Sequence, residues 1–393
     1  MDERTVCYDC GHRDDATASR CVCGEPLWFE LRTPDADWPE TSNGSMWRYE
    51  PFLPVSDPGG PAAAVGGTSL VRTPRLDEFG GCTVFVKDET GNPTGSFKDR
   101  GSAVAVAGAV ERGIDWVGTV SHGNMAISTA AHAAAAGLEC VTLVPADISA
   151  ARLAGISQFD PTLLRVDGDF EQVHYDTVSL EEDVEIVFAN ADSPLRVAGQ
   201  KTVAFEICEA FAPEVPDAIV LPVGSGGNAS AVWKGLRELR DAGLLDAMPR
   251  LYLIQAAASD PVARAYRDGD DRVTRVESGE TLAYSIAGDD PPSGTRALTA
   301  ARETGGAVAS VTDTEMLTAT DAFATDAGRC VEPASAVTLA GVRKLSNRGE
   351  IDGDDEVVCV ATGTGFRELD HVSTSEPTTI DREDLTATLA DLP

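Results

Sequence analysis

Lysine is the scarce residue of this 393-residue chain. Only Lys87, Lys98, Lys201, Lys234 and Lys344 occur, and Asp plus Glu total 64 against 31 Lys plus Arg, a formal net charge of −33. This excludes nucleic acid as a partner, because phosphate backbones are held by clustered Lys and Arg. No apolar run approaches the ~20 residues of a membrane-spanning helix. The N-terminal MDERTVCYDC lacks the basic start and apolar stretch of a signal peptide. A cytoplasmic protein that touches no membrane is expected, with its nine cysteines as reduced thiols or metal ligands rather than disulfides. The acidity is spread along the chain. Distributed carboxylate with little Lys fits a surface hydrated in concentrated salt, where short screening lengths suppress self-repulsion. Folding and activity are therefore expected to need molar salt.

Aromatics are also few, at 6%, whereas 37 glycines and a 42% apolar share suit an α/β protein with many tight strand-to-helix turns. Units of that kind recur. TVFVKDE leads through GNPTGS into FKDRGSAVAVAGAVERG, WVGTVS through HGN into MAISTAAHAAAAGL, and ECVTLVP into DISAARLAGISQF. DAIVLPVG leads through SGGN into ASAVWKGLRELRDAGL, RLYLIQ is another strand, and EVVCVAT ends at GTGF. Alternating strands and helices predict parallel sheets covered on both faces, with ligands at the C-terminal ends of the strands. At the N-terminus, Cys7, Cys10, Cys21 and Cys23 form two close pairs that can give one Zn ion four thiolates. The alternative is a reduced, floppy tail. His12 is surplus to a four-thiolate site. Cys82, Cys140, Cys208, Cys330 and Cys359 stand alone in apolar surroundings and read as core fillers. Thr33 to Gly44 reads as a linker, and the residues after His371 as a partly disordered tail.

Four turns carry candidate chemistry. Lys98, in GSFKDRG, sits just inside a predicted helix, where the helix N-terminus and burial disfavour the ammonium form and leave a nucleophilic amine. The plain alternative is a surface lysine in a first helical turn. Gly224 to Asn228, in PVGSGGN, can converge backbone N–H groups on a phosphate. The same residues fit a dinucleotide pattern, but RLYLIQ ends at Gln255 and not at the acidic residue that a ribose needs. Ser121 to Asn124 could bind a ring oxygen and a carboxylate, or simply cap a helix. Thr362 could meet a pyridine nitrogen, or be a polar turn residue.

In order and spacing these features resemble the threonine synthase branch of the fold type II, tryptophan synthase β-like, pyridoxal-phosphate (PLP) enzymes. The likeness runs from the cysteine ribbon to ATGTG. It is most specific in SMWRYEPFLP, GGTSLVRTPRL, VKDETGNPTGSFKDRG, RVAGQKTVAFEI and VEPASAVTLAG. The resemblance implies two three-layer α/β domains with parallel-rich sheets plus the N-terminal zinc ribbon. Residues 1–32 would be the ribbon, 33–87 and 192–370 the large PLP domain, 88–191 a small mobile domain and 371–393 an acidic tail. It implies PLP as cofactor, held as a Schiff base on Lys98. Asn124 would donate to its phenolic oxygen, Gly224, Ser225, Gly226, Gly227 and Asn228 would cradle its phosphate, and Thr362 would meet its ring nitrogen. Ser121, Gly123 and Arg196 would meet the substrate. Lys87 would be an ordinary strand residue beside the site, and Glu89, Asp99 and Arg100 capping or ion-pair residues. A homodimer is implied as well.

The implied reaction takes O-phosphohomoserine and water to threonine and phosphate. Several positions depart from the family pattern. His122-Gly123-Asn124-Met125 stands where synthases usually carry Ser/Thr-Gly-Asn-Thr, Ser193 stands for an asparagine, and Ser285 to Gly288 (SIAG) stands for an arginine-containing IRIG. GSGGN and TGTGFRE replace GNAGN and TGHGLKD. The cofactor half is expected to be intact and the substrate half altered. Alternatives are a serine/threonine ammonia-lyase or a cysteate-synthase-like β-replacement enzyme on the same scaffold. From a different class comes a silent binding protein, which retention of the lysine and the phosphate loop disfavours.

Overall fold

The computed structural model describes residues 4–30, 36–39, 44–180, 184–372 and 376–390. In chain order the strands are β1 (Arg4–Cys7), β2 (Arg13–Asp15), β3 (Leu27–Phe29), β4 (Leu70–Arg72), β5 (Thr83–Asp88), β6 (Trp116–Val120) and β7 (Glu139–Pro145). They continue as β8 (Thr162–Val166), β9 (Ile186–Phe188), β10 (Ala218–Pro222), β11 (Arg250–Ala256), β12 (Val308–Val311) and β13 (Glu356–Ala361). They form a six-stranded sheet ordered β12-β11-β10-β13-β5-β4, a four-stranded sheet ordered β8-β7-β6-β9, and a small sheet ordered β2-β1-β3. The four-stranded sheet is wholly parallel, and in the six-stranded sheet only β4 pairs antiparallel.

The sequence of β10, AIVLP, is buried throughout. Ile219 and Leu221 feed one core with Phe205 and Leu236, and Ala218 and Val220 feed another with Phe323 and Leu339. A period of two thus splits one strand between two cores, as a sheet with helices on both faces requires. Around the smaller sheet, Val104, Val117, Ala130, Cys140 and Val187 share one cluster and Ala126, Val144 and Ile156 another. Helix ends follow local chemistry. The helix Lys98–Arg112 stops at Gly113, whose φ of 68° lets its N–H reach back to the carbonyls of Ala109 and Val110. The helix Asp313–Ala327 opens on a capping box of Thr312 and Glu315.

The N-terminal sheet is docked onto the large sheet's helices. Trp28 meets Trp233 at 5.4 Å between ring centres, and Tyr8 touches both rings at 5.8 Å. Lys234 donates to the Phe29 carbonyl at 2.8 Å, and Arg272 pairs with Glu25 at 2.6 Å and Asp9 at 3.0 Å. Of the expected linker, residues 36–39 are irregular and most others lie outside the described residues. The tail after His371, expected to be partly disordered, carries a short exposed helix, Leu385–Ala390, among its described residues. Among the described residues no helix is long and apolar enough to cross a membrane. All nine cysteines are free thiols, and Cys82, Cys140, Cys208 and Cys359 are buried as expected, whereas Cys330 is partly exposed.

Candidate active site

The turns after β6, β10 and β13, together with the loop after β5, converge on one cavity of about 240 Å³ between the two larger sheets. Lys98 opens onto it, at the start of the helix Lys98–Arg112. Four of the five lysines are held in ion pairs: Lys87 with Glu206, Lys201 and Lys234 with Glu238, and Lys344 with Glu315. Among the described residues Lys98 has no such pair, and its amine lies 4.6 Å over the Phe97 ring. Burial and the Arg196 guanidinium lower its pKa to about 7 against the opposing pull of Glu332, so the amine is available neutral near pH 7.

The residues around Lys98 keep it in place. The Asp99 carboxylate accepts from the Thr94 backbone N–H at 2.6 Å, the Thr94 hydroxyl at 2.7 Å and the Ser128 hydroxyl at 2.6 Å. The fully buried Arg100 donates to Glu89 at 2.7 and 2.8 Å and to Glu206 twice at 2.8 Å. Lys87 donates to Glu206 and to the Thr68 carbonyl, each at 2.6 Å. Glu89, Asp99 and Arg100 are thus structural ion-pair and capping residues, as the motif suggested. Lys87 is more than an ordinary strand residue, since it belongs to the same buried network.

Facing Lys98 is the turn Gly224 to Asn228, at the start of the helix Gly227–Asp241. Here glycine is a steric requirement. Gly226 has a φ of 81°, and a Cβ on it would lie 2.4 Å from the Ser293 carbonyl oxygen. A Cβ on Gly227 would lie 2.3 Å from the Ala191 carbonyl oxygen. Both polar atoms of the Asn228 amide are buried without a partner, at the end of a helix whose dipole favours an anion. Such a cradle fits the phosphate of PLP.

Asn124, after β6, donates one Nδ2 hydrogen to Glu332 at 2.8 Å and accepts from Arg367 at 3.0 Å, leaving its second Nδ2 hydrogen for a ring oxygen. Burial and the Glu368 charge raise the Glu332 carboxyl to about 7. Thr362 is buried, with its hydroxyl 2.9 Å from that of Ser335. Ser121 lines the cavity, and its hydroxyl accepts the Gly123 N–H at 3.3 Å within the turn; the helix Asn124–Ala136 that follows starts at Gly123 with no side-chain cap.

Arg196 requires a correction: it does not line the cavity. It is fully buried beneath Lys98, donating to the Ser102 hydroxyl at 3.0 Å and to the Lys98 carbonyl at 3.1 Å. The close approach of the helices 98–112 and 194–200 draws it inward. Its charge acts on Lys98 from behind. The guanidinium in the cavity wall is Arg152, stacked on the Tyr284 ring at 3.7 Å. Met125 and Ser285 to Gly288, which depart from the family pattern, also line the wall. His122 lies against Tyr284 at 4.7 Å and Phe170 at 5.5 Å. Burial and the Arg152 charge hold its pKa near 4, leaving it neutral. Sequence reasoning assigned no role to Arg152, Tyr284 or Ser335. Glu332 stood in the VEPASAVTLAG motif, where a carboxylate before a helix-starting proline in an apolar run was the available signal.

In the N-terminal ribbon the Sγ atoms of Cys7, Cys10, Cys21 and Cys23 lie within 4.8 Å of one another. The Cys7–Cys23, Cys10–Cys21 and Cys10–Cys23 separations are 3.7, 3.5 and 3.8 Å. A tetrahedral site with Zn–S bonds of ~2.3 Å has edges of ~3.8 Å, so the donor set fits zinc. His12 faces Asp14 at 3.6 Å and stays outside the cluster.

A buried low-pKa lysine opposite a glycine phosphate cradle, between two α/β layers, defines an enzyme of the fold type II PLP class. Residues 62–363 match the family model described as pyridoxal-phosphate dependent enzyme. The threonine synthase of Methanosarcina acetivorans is 38% identical over 387 residues, 95% of each chain. That of Methanocaldococcus jannaschii is 38% identical over 328 residues, 83% of this chain and 81% of the relative. The chain belongs to the threonine synthase family of PLP-dependent enzymes. Among solved structures, O-ureido-L-serine synthase matches with a TM-score of 0.67 at 21% identity, covering 85% of this chain and 99% of that one. An L-serine ammonia-lyase from Rhizomucor miehei matches with a TM-score of 0.63 at 22% identity, covering 76% and 93%. At those identities the likeness concerns the fold.

Proposed function

We propose that this protein is a threonine synthase that takes O-phosphohomoserine and water to threonine and inorganic phosphate, with PLP held on Lys98. The observation that carries the reading is the state of Lys98: without an ion pair among the described residues, lowered to about 7, and facing the Gly224–Asn228 cradle. PLP, when bound, supplies an electron sink for the charge left by loss of the substrate's α-proton. The Lys98 amine takes that proton and returns it. Asn124 orients the ring oxygen, Thr362 is assigned to the ring nitrogen, and Ser121 and Gly123 to the substrate carboxylate. Arg196 supports the lowered pKa from below. In the net reaction the γ-carbon–oxygen bond breaks with its electron pair leaving on phosphate. The γ-carbon gains a hydrogen, the β-carbon exchanges a hydrogen for a water-derived hydroxyl, and the water's other proton goes to phosphate.

The reading extends to structure and setting. Zinc held by Cys7, Cys10, Cys21 and Cys23 supplies folding energy to a ribbon too small to bury a core of its own. The unit 88–191 closes on the large domain and excludes water before proton removal. The protein is a cytoplasmic homodimer that needs molar salt.

The test is a substrate panel in molar KCl. O-phosphohomoserine is expected to give phosphate and threonine in equal amounts. A 2-oxo acid and ammonia from threonine, without phosphate release, would mean an ammonia-lyase. A sulfonated amino acid from phosphoserine and sulfite would mean a β-replacement enzyme. A preparation that stays colourless after PLP is added would mean a binding protein.

A further inference from the structure

The cavity has one guanidinium in its wall among the described residues, and it is already bound to an anion. Arg152 lies on the helix Ala150–Ser157, its guanidinium carbon 3.7 Å from the centre of the Tyr284 ring, so the ring fixes the plane of the fork. Its Nη2 contacts the Glu368 carboxylate at 3.2 Å, and both side chains are about a quarter exposed. The other cationic candidates in the same wall are unsuited to an anion. Lys98 is engaged with the cofactor, His122 is neutral, and His174 faces the buried Asp192 carboxylate at 3.1 Å. Arg152 also borders an outer vestibule of about 690 Å³, lined by Arg367, Glu368 and His371 on the segment after β13. It therefore stands between the way in and the reacting amine.

We propose that Arg152 is the specificity-determining residue for the substrate's terminal phosphate, and that Glu368 is an internal stand-in for that phosphate which must leave before the substrate binds. A planar guanidinium with parallel donors matches a phosphate dianion better than a lone carboxylate. The exchange replaces a single charge with a double one. Glu368 is suited to release: it is a partly buried carboxylate raised by desolvation, and it lies directly after the short turn Gly365–Arg367. Because Arg367 on that turn donates to Asn124, displacement of Glu368 reaches the residue assigned to the cofactor ring. The structure thus supplies a cation in the substrate half whose polar groups depart from the family pattern at Met125 and Ser285 to Gly288.

This inference rests on the synthase reading for the identity of the substrate, and its test keeps the two apart. Holoenzyme in molar salt is titrated with inorganic phosphate by calorimetry, and KM and kcat are measured with O-phosphohomoserine for the wild type, R152A, R152K and E368A. R152A is expected to raise KM and the phosphate dissociation constant about 10- to 100-fold, the loss of a charged hydrogen-bonding partner, with kcat and the cofactor absorption band little changed. R152K should recover part of the loss, and E368A should tighten phosphate binding several-fold. Unchanged KM and phosphate affinity in R152A would overturn the proposal, as would weaker phosphate binding in E368A. Should R152A fail to fold, E368A and R152K still decide the matter. A wild type that binds phosphate through Arg152 yet releases none from O-phosphohomoserine would sink the synthase reading and leave the anion subsite standing. A wild type that binds no inorganic phosphate would sink the subsite.

Discussion

The two walls of the cavity are built on different principles. The cofactor wall is made of backbone, with glycines at positions where a Cβ would strike a neighbouring carbonyl oxygen, a helix start and one fixed lysine. The substrate wall is made of side chains that bind each other: Arg152 with Tyr284 and Glu368, and His122 with Phe170 and Tyr284. At Gly226 and Gly227 the backbone wall leaves no room for a Cβ, whereas the side-chain wall can be rewritten residue by residue.

Changes to the cofactor wall should abolish the visible cofactor band, and changes to the substrate wall should leave it in place and alter kinetics. The largest effect is expected from Lys98→Ala, which should lose the band at its imine wavelength and about 10³-fold or more in turnover while circular dichroism stays native. Next comes Gly227→Ala. Its new Cβ meets the Ala191 carbonyl oxygen, and overpacking of ~1–3 kcal/mol should weaken PLP binding by about 5- to 150-fold in a fluorescence titration. Cofactor capture by the apoenzyme should depend on pH through Lys98. Its lowered pKa near 7 means that the neutral amine is present above that pH and protonated below it. The capture rate should therefore be flat above pH 8 and fall about tenfold per unit below pH 6. On the other wall, Met125→Thr should change kcat or KM by only about 2- to 10-fold and leave the band untouched. The smallest effect on the site should come from stripping the ribbon with a chelator. Loss of docking through Trp28 and Arg272 should lower the melting temperature by ~2–4 °C per kcal/mol lost, with the band unchanged.

Much of the cofactor wall was legible because its signals are local. A strand, a glycine-rich turn and a helix start are contiguous in the chain, so GSFKDRG and PVGSGGN could be placed before any contact was known. The short strands β4, β8, β9 and β12 were missed. They run three to five residues, and Thr162–Val166 is a half-exposed edge strand with no alternation to detect. The substrate wall was illegible for a different reason. DISAARLAGISQF reads as an ordinary surface helix, and Arg152 gains its role only from Tyr284 and Glu368, brought together by the tertiary fold. Arg196 shows the converse. Its motif pointed to substrate, but the helix that carries it approaches the helix of Lys98 so closely that the guanidinium is buried behind the amine. Glu332 and Ser335 were in plain view within a quoted motif, and their carboxyl and hydroxyl gained meaning only once Asn124 and Thr362 were found against them.

The most direct measurement is borohydride reduction of the holoenzyme in molar salt, followed by proteolysis and mass spectrometry of the pyridoxyl-labelled peptide. The label is expected on Lys98 alone, because the other four amines are held by carboxylates. A label on any of those four, or on none, would contradict the account.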